Sequence, residues 1–234
     1  MKFGIHASIA GGIDKAFERA KDVGADVFQC FSRPPQGGPA PKITPELIEK
    51  VIAASKKTGI KEYYIHTPYF INLASADNRI RNGSIQIIRE ELERGSQLGF
   101  KYIMTHLGSA RDVGEKEGLK MVAAGVVNIL QDYSGATGLL IEISAGAGMV
   151  IGDQLEEVAA ILEAADKKYP DQVNVCFDTA HAFASGYDLR TAAVVKKVFD
   201  QFDKVIGLSR LKLSHCNDSK ADWNEHKEDR KSVV

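Results

Sequence analysis

Five residues able to hold a metal ion close five successive apolar runs: His66, His106, Glu142, Asp178 and His215. Their consecutive separations are 40, 36, 36 and 37 residues. A sixth, His181, follows Asp178 by three positions within "CFDTAHAFASGYDLR" (176–190), in the loop expected after that run. A charge left unpaired at the end of a buried strand is costly, and a shared cation removes that cost. Each residue alone has an ordinary reading. A lone strand-end histidine is usually a hydrogen-bonded structural group, and a lone strand-end carboxylate caps the next helix as often as it binds anything. Independent accidents need not recur once per unit, so the set reads as a metal centre. Three or four imidazoles plus two carboxylates, with no cysteine in register, suit zinc, with manganese or iron as alternatives. Six donors exceed one tetrahedral ion and point to a cluster bridged by a carboxylate such as Glu142. Clustered divalent ions suit phosphodiester hydrolysis, because one lowers the pKa of a bound water toward about 7 while others hold the phosphate. On the residues alone, the chain is a multinuclear metallohydrolase or a metal-dependent isomerase.

The elements that position these residues alternate along the whole chain. Apolar runs at 2–7, 27–32, 63–66, 102–106, 138–143, 173–178 and 209–215 read as strands. Between them lie amphipathic helices. "TPELIEKVIAASKKTG" has Thr44 as N-cap, Pro45 at the first helical position and Gly59 as its stop. "IQIIREELERGSQLG" puts Ile85, Ile88 and Leu92 on one face, and "QLEEVAAILEAADKKYP" does so with Leu155, Val158, Ala159 and Leu162. Strand and helix in repetition give a parallel sheet with right-handed crossovers. "HASIAGG" after the first strand is no dinucleotide-binding turn and no P-loop appears, while strand-end ligands in phase favour a (β/α) barrel, whose C-terminal rim gathers them. "SRPPQGGPAP" (32–41) is a long loop, and no linker divides residues 1–234, so one domain is expected.

Composition agrees. Of 234 residues, 44% are hydrophobic and 26% charged, enough apolar material for a core, and the net charge of −1 gives no general pull toward nucleic acid or anionic membrane. No apolar run approaches the roughly 20 residues of a membrane span, and none resembles a signal peptide. Cys30, Cys176 and Cys216 fit no zinc-knuckle spacing and read as reduced, structural thiols of a cytoplasmic protein.

The segments "HASIAGG", "HTPYFINL" (66–73), "HLGS" (106–109), "IEISAG" (141–146), "FDTAHAFASGYDLR" (177–190) and "HCNDSK" (215–220) carry a resemblance. Over about 220 residues the chain resembles the endonuclease IV family, the zinc-dependent apurinic/apyrimidinic endonucleases of base-excision DNA repair. The resemblance implies up to three zinc ions at the top of a TIM-type barrel. His66, His106 and Glu142 match ligands of the first ion, with Glu142 as the bridging, catalytic carboxylate. Asp178 and His215 match ligands of the second, and His181 and Asp229 of the third. It implies double-stranded DNA as partner, acted on by a monomer at the phosphodiester 5′ to an abasic site, with the damaged nucleotide flipped out. Tyr69 and Phe70 match an inserted aromatic and apolar pair, and Arg33 is a candidate phosphate contact.

The resemblance breaks near the end. After "HCNDSK" the family has Asp-Arg-His, whereas here Asp229 and Arg230 precede Lys231, a poor ligand for a cation. His226 is a candidate replacement. A donor every ~37 residues calls for another near position 252, on an eighth strand. The expectation is therefore an incomplete barrel of about seven strands, truncated at the C-terminus, holding fewer than three zinc ions and possessing impaired activity. A sugar isomerase or epimerase on a related barrel, or an inactive remnant, are the alternatives. His6 is expected to support the site or the fold.

Overall fold

The computed structural model describes residues 1–227. All seven expected strands are present: β1 (Gly4–His6), β2 (Val27–Phe31), β3 (Tyr63–His66), β4 (Tyr102–Thr105), β5 (Gly138–Glu142), β6 (Val173–Asp178) and β7 (Leu211–His215). They follow one another in chain order, and every pairing with a resolved register is parallel. Seven helices connect them: α1 (Asp14–Asp22), α2 (Pro45–Thr58), α3 (Asn78–Leu98), α4 (Glu115–Leu130), α5 (Leu155–Asp166), α6 (Thr179–Ala184) and α7 (Ala192–Val205). The fold class is the (β/α) barrel, with seven strands among the described residues, against the eight of a full barrel. Among those residues no helix is long and apolar enough to cross a membrane.

The residues group into two compact units, with β5 beginning in the first and ending in the second. The first unit comprises Met1–Phe70, Ile87–Thr105 and Asp132–Leu139. Here β1 to β4 pair in order, with Phe28 opposite Tyr63 and Tyr64 opposite Tyr102. Its core is aromatic: Phe17 meets Phe28 and Tyr63 edge-on at 4.8 Å, and Tyr63 meets Phe100 at 4.7 Å. Such tilted pairs add about 0.5–1.5 kcal/mol each beyond area burial. Helix α2 is punctuated as its sequence demands: the Thr44 hydroxyl accepts from Leu47 N at 3.3 Å, and Gly59 closes the helix at φ 77°.

The second unit comprises Ile71–Gln86, His106–Gln131 and the chain from Leu140 onward. Every residue of β6 is buried, as expected of a parallel strand covered on both faces. Cys176 pairs with Leu213 and Asp178 with His215, while Ile143 N donates to Cys176 O at 3.0 Å, tying the end of β5 to β6. Helix α5 buries Leu155, Val158 and Leu162 of the stripe read from the sequence and adds Ile161, while Ala159 is only partly buried. Helix α3 begins seven residues earlier than the apolar stripe from Ile85 suggests. The Asp77 carboxylate accepts from Arg79 N at 2.7 Å, so a polar cap starts the helix before its apolar face begins.

Candidate metal centre

Five of the expected ligands converge in the second unit. β5 ends on Glu142, β6 on Asp178 and β7 on His215, while His106 follows β4. A strand's rigid extension delivers each side chain at its C-terminal end, where the backbone turns away and leaves room. His181 departs from expectation in one respect. It sits in α6, not in a loop, because Asp178 both ends β6 and caps α6: its Oδ1 accepts from His181 N at 2.9 Å. The two readings of a strand-end carboxylate, cap and ligand, therefore coexist. One oxygen caps while the other, Oδ2, faces the imidazole of His215 at 3.6 Å.

Glu142 is the hub. It is buried, and three imidazoles surround it: His215 Nδ1 at 2.8 Å and His181 Nδ1 at 3.6 Å from Oε1, and His106 Nε2 at 3.6 Å from Oε2. The His106 and His181 rings lie 5.5 Å apart. Donor atoms of Glu142, Asp178 and His181 all fall within 4.8 Å of one another. Separations of 3.6 Å exceed a hydrogen bond. The His106 Nε2–Glu142 Oε2 separation matches the roughly 3.4 Å edge of a tetrahedron whose donors each stand about 2.1 Å from a shared zinc ion, whereas His181 Nδ1 is engaged by the Ile143 carbonyl, so Nε2 is the nitrogen His181 would offer a metal. Two buried carboxylates among three imidazoles are thus spaced to share a cation, and the donor set fits one.

The electrostatics follow from this crowding. Burial would push the Asp178 carboxyl up, but His215 and His181 outweigh it and hold the group below the ordinary aspartate value. Burial would likewise push His215 down, yet neighbouring Cys176, Glu142 and Asp178 leave it well above the ordinary histidine value. Of these, the carboxylates act at neutral pH, because burial pushes the Cys176 thiol up to about 11 and keeps it uncharged. Outer contacts orient the ligands: Asn217 Nδ2 donates to Asp178 Oδ2 at 2.6 Å, and His181 Nδ1 meets the Ile143 carbonyl at 2.9 Å. Asn217 lies in the quoted "HCNDSK" segment, but nothing in the sequence alone assigns it this contact.

His66 ends β3 in the first unit and is buried; its Nδ1 meets the Thr67 carbonyl at 2.6 Å, so Nε2 is the nitrogen it would offer a metal. Tyr69 and Phe70, also in the first unit, are 48% and 43% exposed, and the Tyr69 ring leans on Phe31 at 5.2 Å. Arg33 is engaged within the protein. It is only 6% exposed, its Nε pairs with the fully buried Glu91, and its Nη2 pairs with Glu90 at 2.9 Å. Two carboxylates thus hold the guanidinium inside the first unit, where it acts as a structural clamp. His6 meets Gln29 Nε2 at 3.1 Å and stacks on Phe31, a structural role. His226 donates its backbone N–H to Ala184 O at 2.9 Å and belongs to no three-donor group among the described residues. Asp229 lies outside the described residues.

Residues 17–233 match the family model of xylose isomerase-like TIM barrels. A probable endonuclease 4 of Methanoculleus marisnigri is 41% identical over 220 residues, covering 94% of this chain and 77% of the relative. One from Chloroflexus aurantiacus is 36% identical over 222 residues, covering 94% and 77%. The crystal structure of endonuclease IV from Thermus thermophilus superposes with a TM-score of 0.84 at 31% identity, covering 97% of this chain and 80% of that one. A D-tagatose 3-epimerase-like protein superposes at 0.68 with 18% identity, a likeness of fold alone.

Proposed function

Because the chain belongs to the endonuclease IV family of xylose isomerase-like TIM barrels, we propose that it is a zinc-dependent endonuclease that cuts double-stranded DNA on the 5′ side of abasic sites. The observation that carries this reading is the convergence of three imidazoles on the buried Glu142 carboxylate, with His106 Nε2 3.6 Å from Oε2, the spacing of two donors that share a zinc ion. Glu142, Asp178, His106, His181 and His215 would hold the metal, with His66 joining them on the strength of the family resemblance. When bound there, zinc supplies Lewis acidity, activating a water molecule and stabilising the departing oxygen.

The chain's own groups do the rest. Glu142, held among three imidazoles, would hold the metal and help orient the attacking water. Asn217 and the Ile143 carbonyl lock the orientations of Asp178 and His181, so that little reorganisation is left for the reaction itself. Exposed Tyr69 and Phe70 suit a wedge that fills the duplex when a nucleotide leaves the stack. DNA affinity would rest on groups other than Arg33, whose charge is already neutralised.

The deciding experiment combines metal analysis with a nicking assay on a duplex oligonucleotide carrying one abasic site. Co-purified zinc and a chelator-sensitive cut 5′ to the lesion support the reading. A metal-loaded, folded protein that leaves the lesion intact but epimerises a ketose would replace it with the isomerase alternative.

A further inference from the structure

Cys176 stands two residues before Asp178 on β6 and so points to the same face of the strand. It is fully buried, yet it is not isolated in apolar packing. Its sulfur, a Glu142 oxygen and a ring nitrogen of His215 all lie within 4.8 Å of one another. This is a second three-donor group, sharing two members with the zinc set and adding a soft one. Zinc, with imidazoles and carboxylates at hand, gains little by recruiting this sulfur. A soft cation that prefers thiolate gains far more.

We propose that Cys176, Glu142 and His215 form a thiophilic site that captures cadmium-class cations and, by withdrawing Glu142 and His215 from the zinc set, disables the centre. Binding exchanges the S–H proton for the cation, the proton leaves to solvent, and no electron is transferred. The site depends on these three donors alone and stands whether or not abasic DNA is the substrate.

The test is optical. Cadmium is titrated into the metal-free 234-residue chain while the thiolate-to-cadmium charge-transfer absorption is followed in the ultraviolet. The wild type, Cys30→Ser and Cys216→Ser should each develop the band with one equivalent. Cys176→Ser should lack it and bind cadmium roughly 100-fold or more weakly, since even an outer-shell partner commands about 10–100-fold in metal affinity. A band that survives in Cys176→Ser, vanishes in Cys216→Ser (an exposed thiol) or never forms in the wild type overturns the proposal. Cadmium-113 NMR on Cys216→Ser gives a reading that needs no change at Cys176. A resonance shifted downfield by one bound sulfur supports the site, and one typical of nitrogen and oxygen ligands alone defeats it.

Discussion

At the level of single residues, Glu142 concentrates the chemistry. Its carboxylate is the partner of three imidazoles, so Glu142→Gln removes the negative charge that two of them, His106 and His181, face at 3.6 Å. The variant should lose nicking by at least about 100-fold, more than an outer-shell group controls, and should carry less zinc by elemental analysis. Full activity with full metal content would remove Glu142 from the centre. Asn217 offers the complementary case. Its 2.6 Å bond to Asp178 Oδ2 is charge-assisted and orients a ligand without being one. Asn217→Ala should weaken zinc binding by about 10–100-fold, read by competition with a chromogenic chelator, with an unchanged far-ultraviolet spectrum. Neither outcome could be argued from residue type alone, because a strand-end glutamate and a loop asparagine are ordinary until their neighbours are known.

At the level of elements, the loop 32–41 and helix α3 are fastened by buried charge. Ser32 Oγ donates to Glu91 at 2.5 Å, Arg94 reaches Ser32 Oγ at 2.9 Å and Pro41 O at 2.7 Å, and Arg33 completes the clamp. Removing one partner strands a buried charge, so Arg33→Met should destabilise the protein by about 3–5 kcal/mol. The salt dependence of its DNA binding should stay as in the wild type, because a residue that contacts no phosphate adds nothing to counterion release. Denaturant unfolding and binding at several salt concentrations check the two halves separately, and a shallower salt slope would return Arg33 to the DNA interface. Helix α5 carries a pH-sensitive group. Burial, aided by Asp153 and Glu115, pushes the Glu157 carboxyl up to about 7, although the Gly152 N–H donates to it at 2.7 Å. Between the unfolded value near 4.5 and about 7 the folded protein holds one proton more than the unfolded chain. Stability therefore falls as pH rises through that window, by at most about 3 kcal/mol. Glu157→Gln should flatten the decline, melting closer to or above the wild type at pH 8 than at pH 5. Parallel pH profiles of the two proteins would rule this out.

For the whole molecule, metal binding and folding are one equilibrium, since the donors come from β5, β6, α6, β7 and the residue that follows β4, and meet only when these are assembled. Zinc at about a thousand times its dissociation constant should add about 4 kcal/mol. In a chain of this size that raises the melting temperature by roughly 8–16 °C, reversed by chelator. A melt indifferent to both would mean that the donors are not poised for a cation. The pattern behind this centre was open to reading in one dimension. A donor near the end of each of five successive apolar runs, some 37 residues apart, is enough to announce strands, a parallel barrel and a shared rim, because strand periodicity and crossover handedness are local rules. Helix α2 was legible for the same reason, its cap, proline and terminal glycine lying within one stretch of chain. What the linear text left undecided depends on partners distant in sequence. Arg33 is sequestered by residues about 58 positions away, Asn217 reaches back 39 positions to Asp178, and Cys176 becomes a donor only beside Glu142 and His215. Whether a polar side chain is a ligand, a clamp or a cap is set by which remote groups enter its first few ångströms, and only tertiary folding fixes that.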